Sequence, residues 1–160
     1  MRKIKQQSLS IYFSFITLLF LTACSQVPTD STMIENFNEH KAAFKNLVKM
    51  IKHDKGVNSI SIDTYDKNDI KNISGKRLNK YQRILQNIGA SSIKIDSEHK
   101  YIILGYYGSK TIKKYVYTED FKPHPIFKSL DKGINDKLKK EKQHQAYRHI
   151  EGNWYIQYTK

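Results

Sequence analysis

Apolar residues at three- and four-residue spacing predict a long amphipathic helix in the first third of the chain. The apolar stripe consists of Ile34, Phe37, Phe44, Leu47, Val48 and Ile51. Thr32 with Glu35 has the pattern of a capping box at the start of this helix. Gly56, behind Lys52 and Lys55, fits its C-terminal end. The pattern therefore indicates one helix that begins at Thr32.

A second helix is predicted between Ser74, a suitable N-cap, and Gly89, which fits the left-handed position behind a helix. Its apolar side consists of Leu78, Tyr81, Ile84, Leu85 and Ile88. A weaker helical pattern covers residues 126–143, where the apolar positions are loosely spaced and Gly133 lies inside.

Elsewhere the hydrophobic period changes to two or becomes continuous, which predicts strands. The predicted strands are residues 57–65, 92–96, 101–107 and 111–118, then 147–150 and 154–158 around a turn at 151–153. Short polar turns favour an antiparallel meander, and Trp154, Ile156 and Tyr158 share one face of the last strand. The order predicts an α+β fold: an antiparallel β-sheet with two main helices packed on one face, closed by a C-terminal β-hairpin.

The N-terminus has the pattern of a secretory signal. Arg2, Lys3 and Lys5 precede an apolar stretch over residues 9–21, which is shorter than the roughly 20 apolar residues of a membrane span. Leu-Thr-Ala-Cys follows at residues 21–24 and resembles the lipobox of bacterial lipoproteins. The resemblance implies that Cys24, the only cysteine of the chain, receives the lipid.

This signal predicts three parts: a lipoprotein signal peptide over residues 1–23, the lipidated cysteine with a short tether over residues 24–31, and a single α+β domain over residues 32–160. In Gram-negative lipoproteins an aspartate directly after the cysteine commonly retains the protein in the inner membrane. Ser25 occupies that position here. The resemblance therefore implies a lipid anchor in the outer membrane, facing the periplasm, with the inner membrane as the less favoured location.

The chain is strongly basic, with a net charge of +13 that falls by three, to +10, when residues 1–23 are removed. An exported protein meets lipid head groups, wall polymers and acidic proteins, so we expect no nucleic-acid partner. A basic surface patch is predicted at Lys137, Lys139, Lys140 and Lys142 as a contact for an anionic partner. A merely solvated lysine surface explains the same charge.

Motifs for catalysis and metal binding are absent from the sequence. The histidines lack zinc spacing, the aspartates between residues 63 and 69 lack the EF-hand pattern, and no nucleophile or phosphate-binding motif occurs. Acylation of Cys24 leaves no thiol. We therefore expect no catalytic residue, no cofactor, no metal and no enzymatic activity.

Three stretches resemble small, functionally unassigned lipoproteins of Gram-negative bacteria: residues 34–41, 73–78 and 147–155. The resemblance implies an envelope location and one compact domain, and it transfers no functional residue beyond Cys24. The expected function is a membrane-anchored, non-catalytic binding module, for which aromatic residues on the strands offer a surface unless they pack on their neighbours. Two alternatives stay open: an immunity protein or inhibitor against an envelope-acting toxin or enzyme, and structural contact with anionic envelope polymers.

Overall fold

Six antiparallel strands form one open sheet in the computed structural model, which describes residues 27–63, 73–96, 101–105 and 112–160. The described helices are α1 (Asp30–Glu39), α2 (Lys41–His53), α3 (Gly75–Asn87) and α4 (Ile134–Lys140). The strands are β1 (Ser59–Ser61), β2 (Ser92–Asp96), β3 (Tyr101–Gly105), β4 (Ile112–Tyr117), β5 (Gln145–Glu151) and β6 (Trp154–Thr159). The α+β class predicted from the sequence is thereby confirmed.

The strand order in the sheet is β1-β2-β3-β4-β6-β5, and every neighbouring pair is antiparallel. The predicted meander is therefore present as β2-β3-β4, and the predicted closing hairpin is β5-β6. Ile60, Ile93, Leu104, Tyr115 and Ile156 stand opposite one another across five strands and form the central row of the buried face. Backbone bonds between Tyr147 and both Pro125 and Phe127 add one parallel bridge on the outer side of β5.

The predicted first helix is two helices, and the prediction of Thr32 as its N-cap is wrong. Thr29 caps α1, and its hydroxyl accepts a hydrogen bond from the backbone N–H of Thr32 at 3.2 Å. The chain then turns at His40 before α2 begins. The tether predicted over residues 24–31 also differs, because Asp30 is fully buried inside the fold.

The second predicted helix is confirmed as α3, including its N-cap. The Ser74 hydroxyl accepts from the Arg77 N–H at 3.2 Å, and Gly89 adopts a left-handed φ of 66° behind the helix. The weak helical pattern of residues 126–143 becomes the single short helix α4, in which Ile134 and Leu138 are buried in the core. The first predicted strand is reduced to the three residues of β1, and residues 64–65 and 106–107 of the predicted strands lie outside the described residues.

The core lies between one face of the sheet and the helices. Rings from α1, α2, β4 and β6 form its aromatic centre, with centroid distances between 4.8 and 6.5 Å: Phe37, Phe44, Tyr115, Tyr117 and Trp154. Trp154, Ile156 and Tyr158 are all buried, as the alternation predicted for the last strand requires. Burial of this many large apolar side chains supplies the main driving force for folding.

Candidate functional site

Four lysines form a row along one side of α2, next to the stripe that the helix buries. Lys41, Lys45, Lys49 and Lys52 are spaced by four, four and three residues, so they share one helical face. The row extends over eleven residues, which is roughly 16 Å at the helical rise of about 1.5 Å per residue. It forms one wall of a groove of about 530 Å³ whose opposite wall is the β5-β6 turn at residues 151–153. We call this feature the lysine groove.

The floor of the lysine groove is aromatic and aliphatic. It consists of Phe37, Val48, Tyr117 and Trp154. Trp154 packs on Phe37 and Tyr117 with centroid distances of 5.6 and 5.0 Å, so the floor continues the aromatic centre of the core. The groove therefore has a rigid apolar base beneath a charged rim, and its volume lies within the range of roughly 300–1,000 Å³ that is typical of ligand sites.

The two outer lysines of the row are paired with carboxylates of the chain itself. Lys41 binds Glu151 at the end of β5, and Lys52 binds Glu119 behind β4. Tyr117 donates its hydroxyl to Glu119 at 2.6 Å, and the Lys52 ammonium lies 5.5 Å from the centroid of the Tyr117 ring. These pairs connect α2 to the end of β5 and to the segment behind β4.

Pairing shifts the pKa of Glu119, Lys52 and Glu151 in the direction that favours the charged form. The hydrogen bond from Lys52 lowers the pKa of Glu119, and the same bond raises the pKa of Lys52. The hydrogen bond from Lys41 lowers the pKa of Glu151. Glu119, Lys52 and Glu151 are therefore ionised at neutral pH.

The two inner lysines are exposed and lack such a partner. No carboxylate of the described residues lies within 4 Å of the ammonium group of Lys45 or Lys49. Two exposed cations one helical turn apart above an apolar floor create a positive potential, which attracts anionic groups. The lysine spacing is visible in the sequence, but the facing hairpin turn and the floor come from distant segments, so sequence reasoning missed the groove.

The structure places the predicted basic patch near the other end of the chain, on α4 and the turn behind it. Lys137, Lys139, Lys140 and Lys142 are all exposed there. Lys139 and Lys142 line a second hollow of about 420 Å³. Its other lining residues are Leu138, Gln143, His144 and Lys160, so no Phe, Tyr or Trp ring lines this hollow. The lining of this hollow thus combines charge with the aliphatic Leu138 and lacks the aromatic floor of the lysine groove.

The most buried carboxylate of the described residues belongs to a charge network that joins α1 to the sheet. Asp30 accepts from the Lys113 ammonium at 2.8 Å, from the Arg148 guanidinium at 2.9 Å and from the Leu130 N–H at 2.6 Å. Asp131 also binds Lys113 and accepts from the backbone N–H of Asp30. Asp30 and Lys113 thus form a buried ion pair, and the more exposed Asp131 and Arg148 each bind one member of it.

The titration of Asp30 shows what this network can do chemically. Burial alone raises the pKa of Asp30, but the hydrogen bonds from Leu130, Lys113 and Arg148 outweigh burial and lower the pKa below its usual value. A general acid or base at neutral pH needs the opposite shift, toward the working pH. The geometry of Asp30 is therefore that of a structural ion.

A second set of three residues joins the end of α2 to α3. Asp54 accepts from Arg77 at 2.6 Å and from the Tyr81 hydroxyl at 2.8 Å. Burial raises the pKa of Asp54, but the bonds from Arg77, His53 and Tyr81 outweigh it and leave the pKa below its usual value. Burial and the bond to Asp54 raise the pKa of Tyr81, so this tyrosine holds its proton at neutral pH.

Most strand aromatics that sequence analysis considered for a binding surface are buried. Tyr115, Trp154 and Tyr158 lie on the helix side, and Tyr147 and Tyr155 are buried on the other face. Tyr117 is the half-buried exception and lines the lysine groove. Tyr106 and Tyr107 lie outside the described residues, and the side chain of Tyr101 is not described.

The described ranges, 27–63, 73–96, 101–105 and 112–160, contain no group of three or more His, Cys, Asp or Glu side chains that could hold a metal ion. None of the helices in these ranges has both the length and the apolar character that crossing a membrane demands. Cys24, the predicted lipid attachment site, and Asp66 to Asp69 lie outside them.

No protein-family model matches the chain, and neither a curated protein nor a solved structure is significantly similar to it.

Proposed function

We propose that the chain is an envelope lipoprotein, anchored through Cys24, whose domain is a non-catalytic module that binds an anionic partner in the lysine groove. The observation that carries the binding role is the pair Lys45 and Lys49, two exposed cations without a carboxylate partner among the described residues, above a floor that includes Trp154. A charged rim over an apolar base supports binding of a partner that has both kinds of surface.

The state of the carboxylates supports binding over catalysis. Asp30 and Asp54 are the two acids with the most buried side chains in the salt bridges of the described residues. Lys113 and Arg148 bind Asp30, and Arg77 and Tyr81 bind Asp54. Their lowered pKa values keep them charged and weakly basic at neutral pH. Their partners position helices, and a substrate would have to displace those partners to reach the carboxylates.

The N-terminal sequence supports the anchor. The basic start, the short apolar stretch and the lipobox pattern that ends at Cys24 fit a lipoprotein signal, and Ser25 behind it favours the outer membrane over the inner. The described fold begins close behind, with Thr29 capping α1. A tether of about five residues spans at most roughly 18 Å, so the domain would lie close to the bilayer.

A pull-down with matched variants tests this proposal. The full chain in uncharged detergent is immobilised and exposed to envelope extract, beside a Lys45→Gln/Lys49→Gln variant and a Lys139→Gln/Lys140→Gln control with the same loss of charge. We expect a partner that the parent chain and the control retain and the groove variant does not. Capture that is identical for all three proteins, or no capture, contradicts a binding role for the groove.

Structural contact with anionic envelope polymers is the second candidate, and the exposed lysines on α4 favour it. Contact through solvated lysines weakens steeply as salt rises, whereas binding over a packed apolar floor weakens less. Repeating the pull-down at low and high salt therefore separates the two candidates. An immunity or inhibitor role is a special case of the first candidate, and a toxin gene next to this one would favour it.

A further inference from the structure

We infer that the lysine groove takes an acidic, extended segment of a partner protein, with two carboxylates that bind Lys45 and Lys49. This inference rests on the proposed binding function and names the class of partner for the same site. Of the four lysines in the row, the chain itself pairs Lys41 and Lys52 with carboxylates and leaves Lys45 and Lys49 for a partner.

The chain supplies its own example of what this row binds. At both ends of the row the bound group is a glutamate side chain at or just behind the end of a strand, Glu151 of β5 to Lys41 and Glu119 behind β4 to Lys52. Lys45 also lies close enough to Glu151 to lower the pKa of that carboxyl. Protein carboxylates thus bind the lysine row at both ends, and the two inner lysines lie on the same helical face between them.

The spacing of the inner lysines fits an extended peptide. Residues four apart in a helix are displaced along its axis by about 6 Å, given a rise of about 1.5 Å per residue. Side chains two apart in an extended strand point to the same side and are about 6.6 Å apart. A Glu-x-Glu segment therefore matches Lys45 and Lys49 in distance and direction.

The floor provides the second element of recognition. Tyr117 is half-buried, and the aliphatic Val48 lies between the lysines on α2. An apolar side chain next to the acidic pair of the partner would cover this floor. A purely ionic polymer offers no such group, so the floor favours a protein segment over a polyphosphate or a charged polysaccharide.

Trp154 gives a direct readout of this site because it is the single tryptophan of the chain and lines the groove. The probe is a 12-residue peptide with a central Phe-Glu-Thr-Glu-Phe segment, and the matched control peptide has glutamine at both glutamate positions. Titration into the full chain in uncharged detergent should change Trp154 emission with the acidic peptide and leave it unchanged with the glutamine peptide.

Variants then place the peptide on the two inner lysines. Lys45→Gln/Lys49→Gln should raise the Kd of the acidic peptide about tenfold or more, because two charge-assisted hydrogen bonds are lost. Lys139→Gln/Lys140→Gln, with the same loss of charge, should change the Kd less than about twofold. Equal weakening by both variants would mean attraction by net charge alone and would overturn the inference.

The remaining outcomes separate the class of partner from the function itself. One outcome is that inorganic polyphosphate or a soluble short-chain phosphatidylglycerol binds in place of the peptide and requires Lys45 and Lys49. That result would overturn the acidic-peptide class and leave the binding function standing. If neither these anions nor the peptide changes Trp154 emission, and the pull-down yields no groove-dependent partner, both proposals are wrong.

Discussion

Tyr81 is a fully buried tyrosine whose hydroxyl has a charged partner, which makes it the most informative single residue for stability. It donates to Asp54 at 2.8 Å, and Arg77 binds the same carboxylate. The three side chains join the C-terminal end of α2 to the start of α3. Because the tyrosine is enclosed, its bond should contribute more than an average surface hydrogen bond.

Tyr81→Phe removes this bond and keeps the ring. Hydrogen bonds to charged groups contribute roughly 1.5–3 kcal/mol, so the free energy of unfolding should fall by about that amount. Tyr117→Phe is the matched control, because its hydroxyl also binds a carboxylate, Glu119, but on the surface. Urea unfolding of both variants measures the difference, and equal losses would refute the importance of burial at Tyr81.

Residue-level chemistry also marks the limit of sequence reasoning. Ser74 and Gly89 were predicted correctly as the N-cap and the C-terminal glycine of α3, because each acts through backbone groups of its near neighbours. The local sequence places Asp30 in the tether, because its partners Lys113 and Arg148 lie 83 and 118 residues away. The sequence did not reveal the lysine groove for the same reason, because its walls come from two distant segments, α2 and residues 151–153.

At the level of elements, the buried charge network explains why α1 begins where it does. Asp30 enters the first turn of α1, and its carboxylate joins Lys113 of β4, Arg148 of β5 and the Leu130 N–H. This long-range attachment favours Thr29 as the N-cap over the local pattern of Thr32 and Glu35. Residues 38–41 are all polar, so a continuous helix would have no apolar side chain to bury there, and α1 ends at Glu39.

Asp30→Asn tests the network. Removing one partner from a buried ion pair usually costs about 3–5 kcal/mol, because the remaining charge stays buried without compensation. Asp131 still binds Lys113, so the loss should lie near the lower limit, at about 3 kcal/mol. Asp136→Asn on the exposed side of α4 is the control and should change stability by less than about 0.5 kcal/mol. A thermal melt that is unchanged for Asp30→Asn would contradict a structural role.

The same residue predicts how stability depends on pH. The pKa of folded Asp30 lies below the unfolded value near 3.8, so its stabilisation is complete above that value and is lost as pH falls through the lower, folded pKa. The parent chain should therefore lose stability more steeply than Asp30→Asn below about pH 4. Unfolding free energies measured between about pH 2 and 6 check this, and parallel curves for the two proteins would show that Asp30 titrates normally.

At the scale of the whole molecule, the anchor and the domain are separable predictions. Cys24→Ala should abolish incorporation of labelled fatty acid and release the protein from the membrane fraction, because bacterial lipoproteins depend on their acyl chains for stable attachment. The domain should keep its unfolding midpoint, because the described fold begins at residue 27. If Cys24→Ala still carries the lipid label or stays in the membrane fraction, the lipid is not attached at this cysteine. If the parent chain is recovered in the inner-membrane fraction, the prediction of outer-membrane sorting is wrong.

A quadruple variant tests the basic surface on and behind α4. On and behind α4, lysines project from a helix whose other side is anchored by the buried Ile134 and Leu138. Changing Lys137, Lys139, Lys140 and Lys142 to glutamine should therefore weaken binding to anionic vesicles and leave the melting temperature nearly unchanged. Within the described fold this change removes the weak cation–π approach of Lys137 to the Phe127 ring, at 5.7 Å.

Leu138→Ala is the opposite control for the same helix. It leaves every lysine in place and removes a fully buried side chain, so it should cost about 2–5 kcal/mol of stability and leave vesicle binding of the folded protein unchanged. Vesicle sedimentation and thermal melts on the two variants thus separate charge from packing. Unaltered vesicle binding by the quadruple variant would remove the α4 lysines as a binding surface. A large fall in its melting temperature would instead show that these lysines stabilise the fold.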